Sequence, residues 1–206
     1  MYQKNNYKVG IMGGTFDPIH YGHLVIAEQV RERFLLDKVI FVPVGKAPHK
    51  EGVEVDKFDR FNMVKLAIES NSNFEISSIE IDKHKKTYTI DTIKELKNNI
   101  DAEIFFITGS DAILMIDTWK DYKELLSLVK FIGATRPGVK KKQLENKINE
   151  IYRDVGEKIL LTSIPKLEIS STDIRRRVKN KKSIKYLLPE KVEEYIYSKS
   201  LYLIKK

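Results

Sequence analysis

With 206 residues, no cysteine and a formal charge of +8, the chain is long enough for one ordinary core, and it excludes a disulfide framework, a thiolate nucleophile and a cysteine metal site. No apolar run approaches the roughly 18 residues of a spanning helix, and residues 1–8 are polar rather than leader-like, so a cytoplasmic protein with no membrane partner is expected. The charge admits acidic partners of either kind, nucleic acid or nucleoside triphosphate. Its excess, however, gathers in residues 140–142 and 179–185, where no aromatics interleave as a base-stacking platform requires, and solvated surface is the plainer reading.

In chain order, residues 9–12 predict a short buried strand. The string Gly13-Gly14-Thr15-Phe16-Asp17-Pro18-Ile19-His20-Tyr21-Gly22-His23-Leu24 then turns into a helix, along which Leu24, Ala27, Val30 and Phe34 recur at helical spacing. Residues 39–42 form a second apolar run closed by Pro43, so strand, helix and strand within some thirty residues imply a right-handed parallel crossover. A polar loop, 44–56, precedes a helix over 58–70 with Phe61, Val64 and Ile68 on one face. Short alternating runs at 74–76 and 79–81 lead to Thr87-Tyr88-Thr89 and a helix over about 90–98, which Thr89 can cap. Residues 103–107 are the clearest interior strand, running into Thr108-Gly109-Ser110-Asp111 and a helix that continues toward Trp119. A helix over 122–128, a strand over 130–134, a charged helix over 142–154 striped by Leu144, Ile148 and Ile151, and a strand over 158–161 follow. Helices over 173–179 and 190–197 close the chain, with Pro189 suited to a first turn. Strands alternating with helices throughout give an α/β fold built on a doubly wound, mostly parallel sheet. It is read as one domain, 1–206, with the helices of about 171–206 packed on it.

Polar strings stand at the exits of these strands, and a doubly wound sheet gathers such exits at one edge. The first is an anion cradle: glycine admits a close backbone approach, and the amides and dipole of a helix start favour negative charge. His20 and His23, three residues apart where loop becomes helix, can both address what the turn holds, and at a reference pKa near ~6.5 each donates to phosphate whether neutral or protonated. A helix-capping turn with incidental histidines is the plain alternative. The string Ile169-Ser170-Ser171-Thr172-Asp173-Ile174-Arg175 offers a second anion site: Ser171 or Thr172 caps the helix and Arg175, one turn in, reaches back with a planar guanidinium. Two such sites suit a triphosphate. Zinc on the histidine pair lacks a third ligand at a recognisable spacing, so no metal ligand is expected from the protein. Gly10-Ile11-Met12-Gly13-Gly14 does not fit the dinucleotide fingerprint G-x-G-x-x-G, which argues against a redox protein.

His20-Tyr21-Gly22-His23 and Ser170-Ser171-Thr172-x-x-Arg175 resemble the H-x-G-H and S-S-T-x-x-R signatures of the nucleotidyltransferase superfamily. With Pro43, Pro48-His49-Lys50, Arg60, Met63, Thr87-Tyr88-Thr89, Gly109-Ser110-Asp111, Trp119, Arg136-Pro137-Gly138 and the 187–202 tail, the chain resembles the nicotinate mononucleotide adenylyltransferase family over nearly its whole length. The resemblance implies a Rossmann-like nucleotidyltransferase fold that joins ATP and nicotinate mononucleotide into deamido-NAD and pyrophosphate. His20, His23 and Arg175 would be catalytic, with Mg²⁺ carried on ATP. Gly13, Gly14, Thr15, Phe16, Gly109, Asp111, Ser171 and Thr172 would bind ATP, while Lys50, Thr87, Tyr88, Thr89, Trp119 and Arg136 would bind the mononucleotide. Trp119 suits a cationic pyridinium, for which an indole face is the best side-chain partner; packing is its alternative. The resemblance implies small-molecule substrates rather than nucleic acid and leaves a homo-oligomer open. A sibling transferase making a coenzyme A precursor or a cytidylyl product is the rival enzyme, and a basic nucleic-acid-binding module the non-enzymatic one.

Overall fold

The computed structural model describes residues 7–46, 54–83, 85–135, 141–165 and 167–203. The strands are β1 (Lys8–Gly14), β2 (Lys38–Pro43), β3 (Phe74–Ile76), β4 (Glu103–Gly109), β5 (Lys130–Thr135) and β6 (Ile159–Ser163). They form one sheet in the order β3-β2-β1-β4-β5-β6, which is the doubly wound order with its reversal between β1 and β4. β1 with β4, β4 with β5 and β5 with β6 pair in parallel. β1, β2, β4 and β5 each carry at least four consecutive buried residues, because strands covered on both faces have no reason to alternate; β6, at the edge, buries only Ile159 and Thr162. In the β1–β4 register Met12 lies opposite Ile107, so the glycine turn after β1 and Thr108-Gly109 after β4 leave the sheet at the same end.

The helices are α1 (Tyr21–Arg33), α2 (Lys57–Ile68), α3 (Thr89–Asn99), α4 (Ser110–Leu114), α5 (Tyr122–Leu128), α6 (Lys141–Val155), α7 (Ser171–Lys179) and α8 (Glu190–Ser198). Four sequence expectations need correction. The helix after β4 does not run on to Trp119: it stops at Leu114, and a 3-10 turn over Ile116–Thr118 ends at Trp119. Residues 79–81 are turn, not strand. Thr89 does not cap α3 but is its first residue; Tyr88 stands in extended conformation before it with no side-chain cap. The buried stripe of α2 is Arg60, Met63, Val64, Ala67 and Ile68, so its first member is a charge, while Phe61 is only half-buried.

The chain divides into two compact units. One comprises residues 1–13, 26–40 and 88–166, and the other residues 14–25, 41–87 and 167–206. The first has its core in Ile11, Val30, Ile107, Ile113, Leu125 and Phe131; the second has its core in Phe41, Met63, Val64, Ile174, Val192 and Ile196. In the second, α8 packs on α2, where the Tyr195 hydroxyl donates to Asp59 at 2.7 Å.

Candidate active site

The start of α1 is built by its two histidines. The Gly22 N–H donates to His20 Nδ1 at 3.1 Å, and the His20 N–H donates to His23 Nδ1 at 3.3 Å. His20 thus stands as the residue before the helix whose side chain satisfies an orphan amide, and His23, three on, reaches back to satisfy His20's own amide. This is the reciprocal logic of a capping box, with imidazole in place of serine and glutamate. The three-residue spacing follows from it. So does the tautomer: a neutral ring that accepts at Nδ1 carries its proton on Nε2. Capping, the plain alternative in the sequence, is present and engages Nδ1 of both rings. The rings stack at 3.8 Å with an interplanar angle of 28°, and the Phe16 ring meets His23 edge-on at 5.1 Å. Between the histidines only glycine fits, since a Cβ at Gly22 would lie 2.9 Å from the buried His20 ring.

α7 locks onto the same turn. Arg175 Nη1 donates to the Asp17 carbonyl at 2.8 Å and Ser171 Oγ to the Pro18 carbonyl at 2.8 Å. The cap of α7 is neither Ser171 nor Thr172, as the sequence suggested, but Ser170, whose Oγ accepts from the Asp173 N–H at 3.1 Å. Ser171 is free of that duty because it faces the turn, and Thr172 is exposed. The guanidinium and both imidazoles therefore belong to one compact unit, held by hydrogen bonds between residues more than 150 positions apart.

Beneath the turn lies a buried polar group that sequence reasoning left without a role. Asp17, 4% exposed, accepts at Oδ1 from the Tyr202 hydroxyl at 2.8 Å and at Oδ2 from the Glu54 N–H at 3.0 Å. Arg60, 2% exposed, donates from Nη1 to the Thr15 carbonyl at 2.7 Å and from Nη2 to the Gly45 carbonyl at 3.2 Å, while its Nε has no partner. Burial pulls the Arg60 guanidinium below its usual range against the opposing charge of Asp17, and burial also raises the Tyr202 phenol well above its own. A Cβ at Gly45 would run into the Glu80 carbonyl, so the loop after β2 is closed on residues 80–81 as well. A cation in the apolar stripe of α2 was the available signal for this group; Asp17 stood in the glycine-turn string without a role of its own, and nothing in the sequence marked Glu54.

Thr87, also in this unit, is buried and donates its hydroxyl to Glu80 at 2.6 Å. In the other unit, Trp119 is half-buried and meets Phe106 at 5.9 Å and Phe131 at 6.1 Å, both edge-to-face. Tyr88 and Thr89 are half-buried, with Lys120 Nζ over the Tyr88 ring at 4.7 Å and paired with Asp91 at 3.3 Å. Gly109 is exposed, adopts an ordinary extended conformation, and has open space where a Cβ would stand, so neither strain nor packing calls for glycine there. Asp111 is exposed in the first turn of α4. Lys50 and Arg136 lie outside the described residues.

Residues 11–177 match the cytidylyltransferase-like family. Over 198 residues the chain is 54% identical to the probable nicotinate-nucleotide adenylyltransferase of Thermoanaerobacter sp. (strain X514), covering 95% of this chain and 94% of the relative. The chain belongs to this family, among the nicotinate-nucleotide adenylyltransferases. The probable nicotinate-nucleotide adenylyltransferase of Moorella thermoacetica is likewise 54% identical, over 95% of this chain and 91% of its own. Among solved structures, the Plasmodium falciparum nicotinic acid mononucleotide adenylyltransferase complexed with NaAD superposes with a TM-score of 0.78 over 95% of this chain and 97% of its own. At 24% identity that likeness is one of fold. Among the described residues, no helix is long and apolar enough to cross a membrane.

Proposed function

We propose that the protein transfers the adenylyl group of ATP to nicotinate mononucleotide, releasing pyrophosphate and forming deamido-NAD. The observation that supports this reading is the seating of Arg175 and Ser171 on the carbonyls of Asp17 and Pro18, which ties α7 to the turn that carries the two stacked imidazoles. The names of the relatives supply the acceptor.

The chemistry asks little of the protein beyond placement and charge. A 5′-phosphate oxygen of the mononucleotide, ionised at neutral pH, forms a bond to the α-phosphorus of ATP as the bond from that phosphorus to the bridging oxygen breaks. The electron pair leaves with pyrophosphate, and no proton need be removed. Negative charge grows on the α-phosphate and on the leaving group, so preorganised donors carry the catalysis. His20 and His23, their Nδ1 atoms committed to the backbone, offer donors at Nε2, and Arg175 adds a fixed charge. Mg²⁺ arrives on the triphosphate as part of the substrate. Backbone amides from Gly13 to Phe16 approach the phosphates, and Gly109, Asp111, Ser171 and Thr172 attend the nucleotide. Tyr88, Thr89, the Thr87 main chain, Trp119, Lys50 and Arg136 attend the mononucleotide, with the indole on the cationic ring.

The test is release of pyrophosphate from ATP offered with nicotinate mononucleotide, nicotinamide mononucleotide, phosphopantetheine or no acceptor. Turnover with the nicotinate acceptor well above the others is expected. Turnover with phosphopantetheine alone would assign a sibling reaction.

A further inference from the structure

One acidic side chain sits where the proposed reaction has least use for it. Glu54 places its carboxylate against two cations on successive turns of α7: Oε1 lies 3.2 Å from Arg175 Nε and 3.0 Å from Lys179 Nζ, and Oε2 lies 2.9 Å from Lys179 Nζ. Its own N–H is anchored to Asp17 Oδ2 at 3.0 Å, and the carbonyl of Asp17 receives the remaining bond of the same guanidinium. Glu54 is thus delivered by the backbone to the junction of glycine turn and α7. Two carboxylate oxygens spread across an arginine and a lysine copy the way two oxygens of a phosphate would be gripped.

We infer that Lys179 joins Arg175 in a two-cation site for the pyrophosphate end of the triphosphate, and that Glu54 is a built-in competing anion which fills this site until the nucleotide displaces it. The inference rests on the phosphate reading of Arg175 given above and adds two residues to it. Partial burial opposes ionisation of Glu54, but the hydrogen bonds from Lys179 and Arg175 outweigh it and hold the carboxyl below its usual range, so the competitor is charged at neutral pH. A polyphosphate brings more charge than one carboxylate and wins. When pyrophosphate is ready to leave, the tethered carboxylate is at hand to take its place. Glu54 acts here through Arg175 and Lys179, as a positioning residue.

The experiment is calorimetric titration of inorganic pyrophosphate into the full chain at fixed ionic strength, for wild type, Glu54→Gln and Lys179→Met. All three groups are partly exposed, so the competition has the scale of a surface ion pair. Pyrophosphate should then bind Glu54→Gln about fivefold more tightly and Lys179→Met about fivefold more weakly, with the KM for ATP moving in the same directions. Unchanged or weaker binding by Glu54→Gln would overturn the competitor; should that variant melt early, unchanged binding by Lys179→Met, a surface substitution, overturns the site by itself. No acceptor enters these titrations. Failure of adenylyl transfer to nicotinate mononucleotide would therefore leave their outcome standing, and the two ideas fall separately.

Discussion

At the scale of single residues, Gly22 shows how little room the histidine pair leaves. It lies inside α1, where alanine is the better helix former by about 1 kcal/mol. A methyl there would nonetheless meet the His20 ring at 2.9 Å, and that residue is 3% exposed and stacked on His23. Gly22→Ala should therefore melt within a few degrees of wild type while losing activity, because a displacement approaching an ångström in a phosphate-transfer site costs on the order of 10²-fold. Full activity in a well-folded Gly22→Ala protein would show that the ring position is not what the glycine protects. The histidines themselves were legible from spacing, and so was Arg175. Their mutual hydrogen bonds were not, because a sequence pattern says that two rings can point one way without saying which nitrogen is already committed.

Elements were legible wherever periodicity and burial agree. β1, β2, β4 and β5 are runs of largely buried residues, and of the three residues expected in the stripe of α6, Leu144 and Ile151 are buried and Ile148 half-buried. Errors gathered at element ends, where side chains compete to cap: three adjacent hydroxyls, Ser170 to Thr172, span the start of α7, and tertiary contact with the Pro18 carbonyl takes Ser171 and leaves Ser170 for capping. Arg60 is the sharpest case. Named in the sequence only among the residues that carry the resemblance, it is the buried brace between the turn after β1 and the loop after β2. Arg60→Met should leave the Thr15 and Gly45 carbonyls unsatisfied and Asp17 with Arg175 as its remaining neighbouring cation. The cost is on the order of 3 kcal/mol, or about 6–12 °C of melting temperature for a chain of this size. Chemical denaturation of the variant measures it. A loss below about 1 kcal/mol would mean that the unpartnered Nε and the desolvated charge had already cancelled what the two hydrogen bonds contribute.

For the molecule as a whole, the order of strands and the polar ends of β1 and β4 follow from topology, and a doubly wound sheet needs no more than its alternating pattern to be foreseen. What pattern does not foresee is that the candidate residues fall into two compact units. His20, His23 and Arg175 belong to one compact unit, while Gly109, Asp111 and Trp119 belong to the other, each packed by its own core. Residues supported by different cores should fail differently. Trp119→Ala removes an indole face that cation–π attraction makes worth about 0.5–2 kcal/mol, so the KM for nicotinate mononucleotide should rise roughly two- to thirtyfold, with the KM for ATP within about twofold of wild type. Arg175→Ala should do the reverse, raising the KM for ATP and lowering kcat, since its charge acts on the phosphates as they react. Steady-state kinetics with each substrate varied in turn separates the two patterns. Were Trp119→Ala to raise both KM values together while Arg175→Ala left the KM for ATP unmoved, the indole would be packing against Phe106 and Phe131 and nothing else, and the division of labour between the units would be wrong.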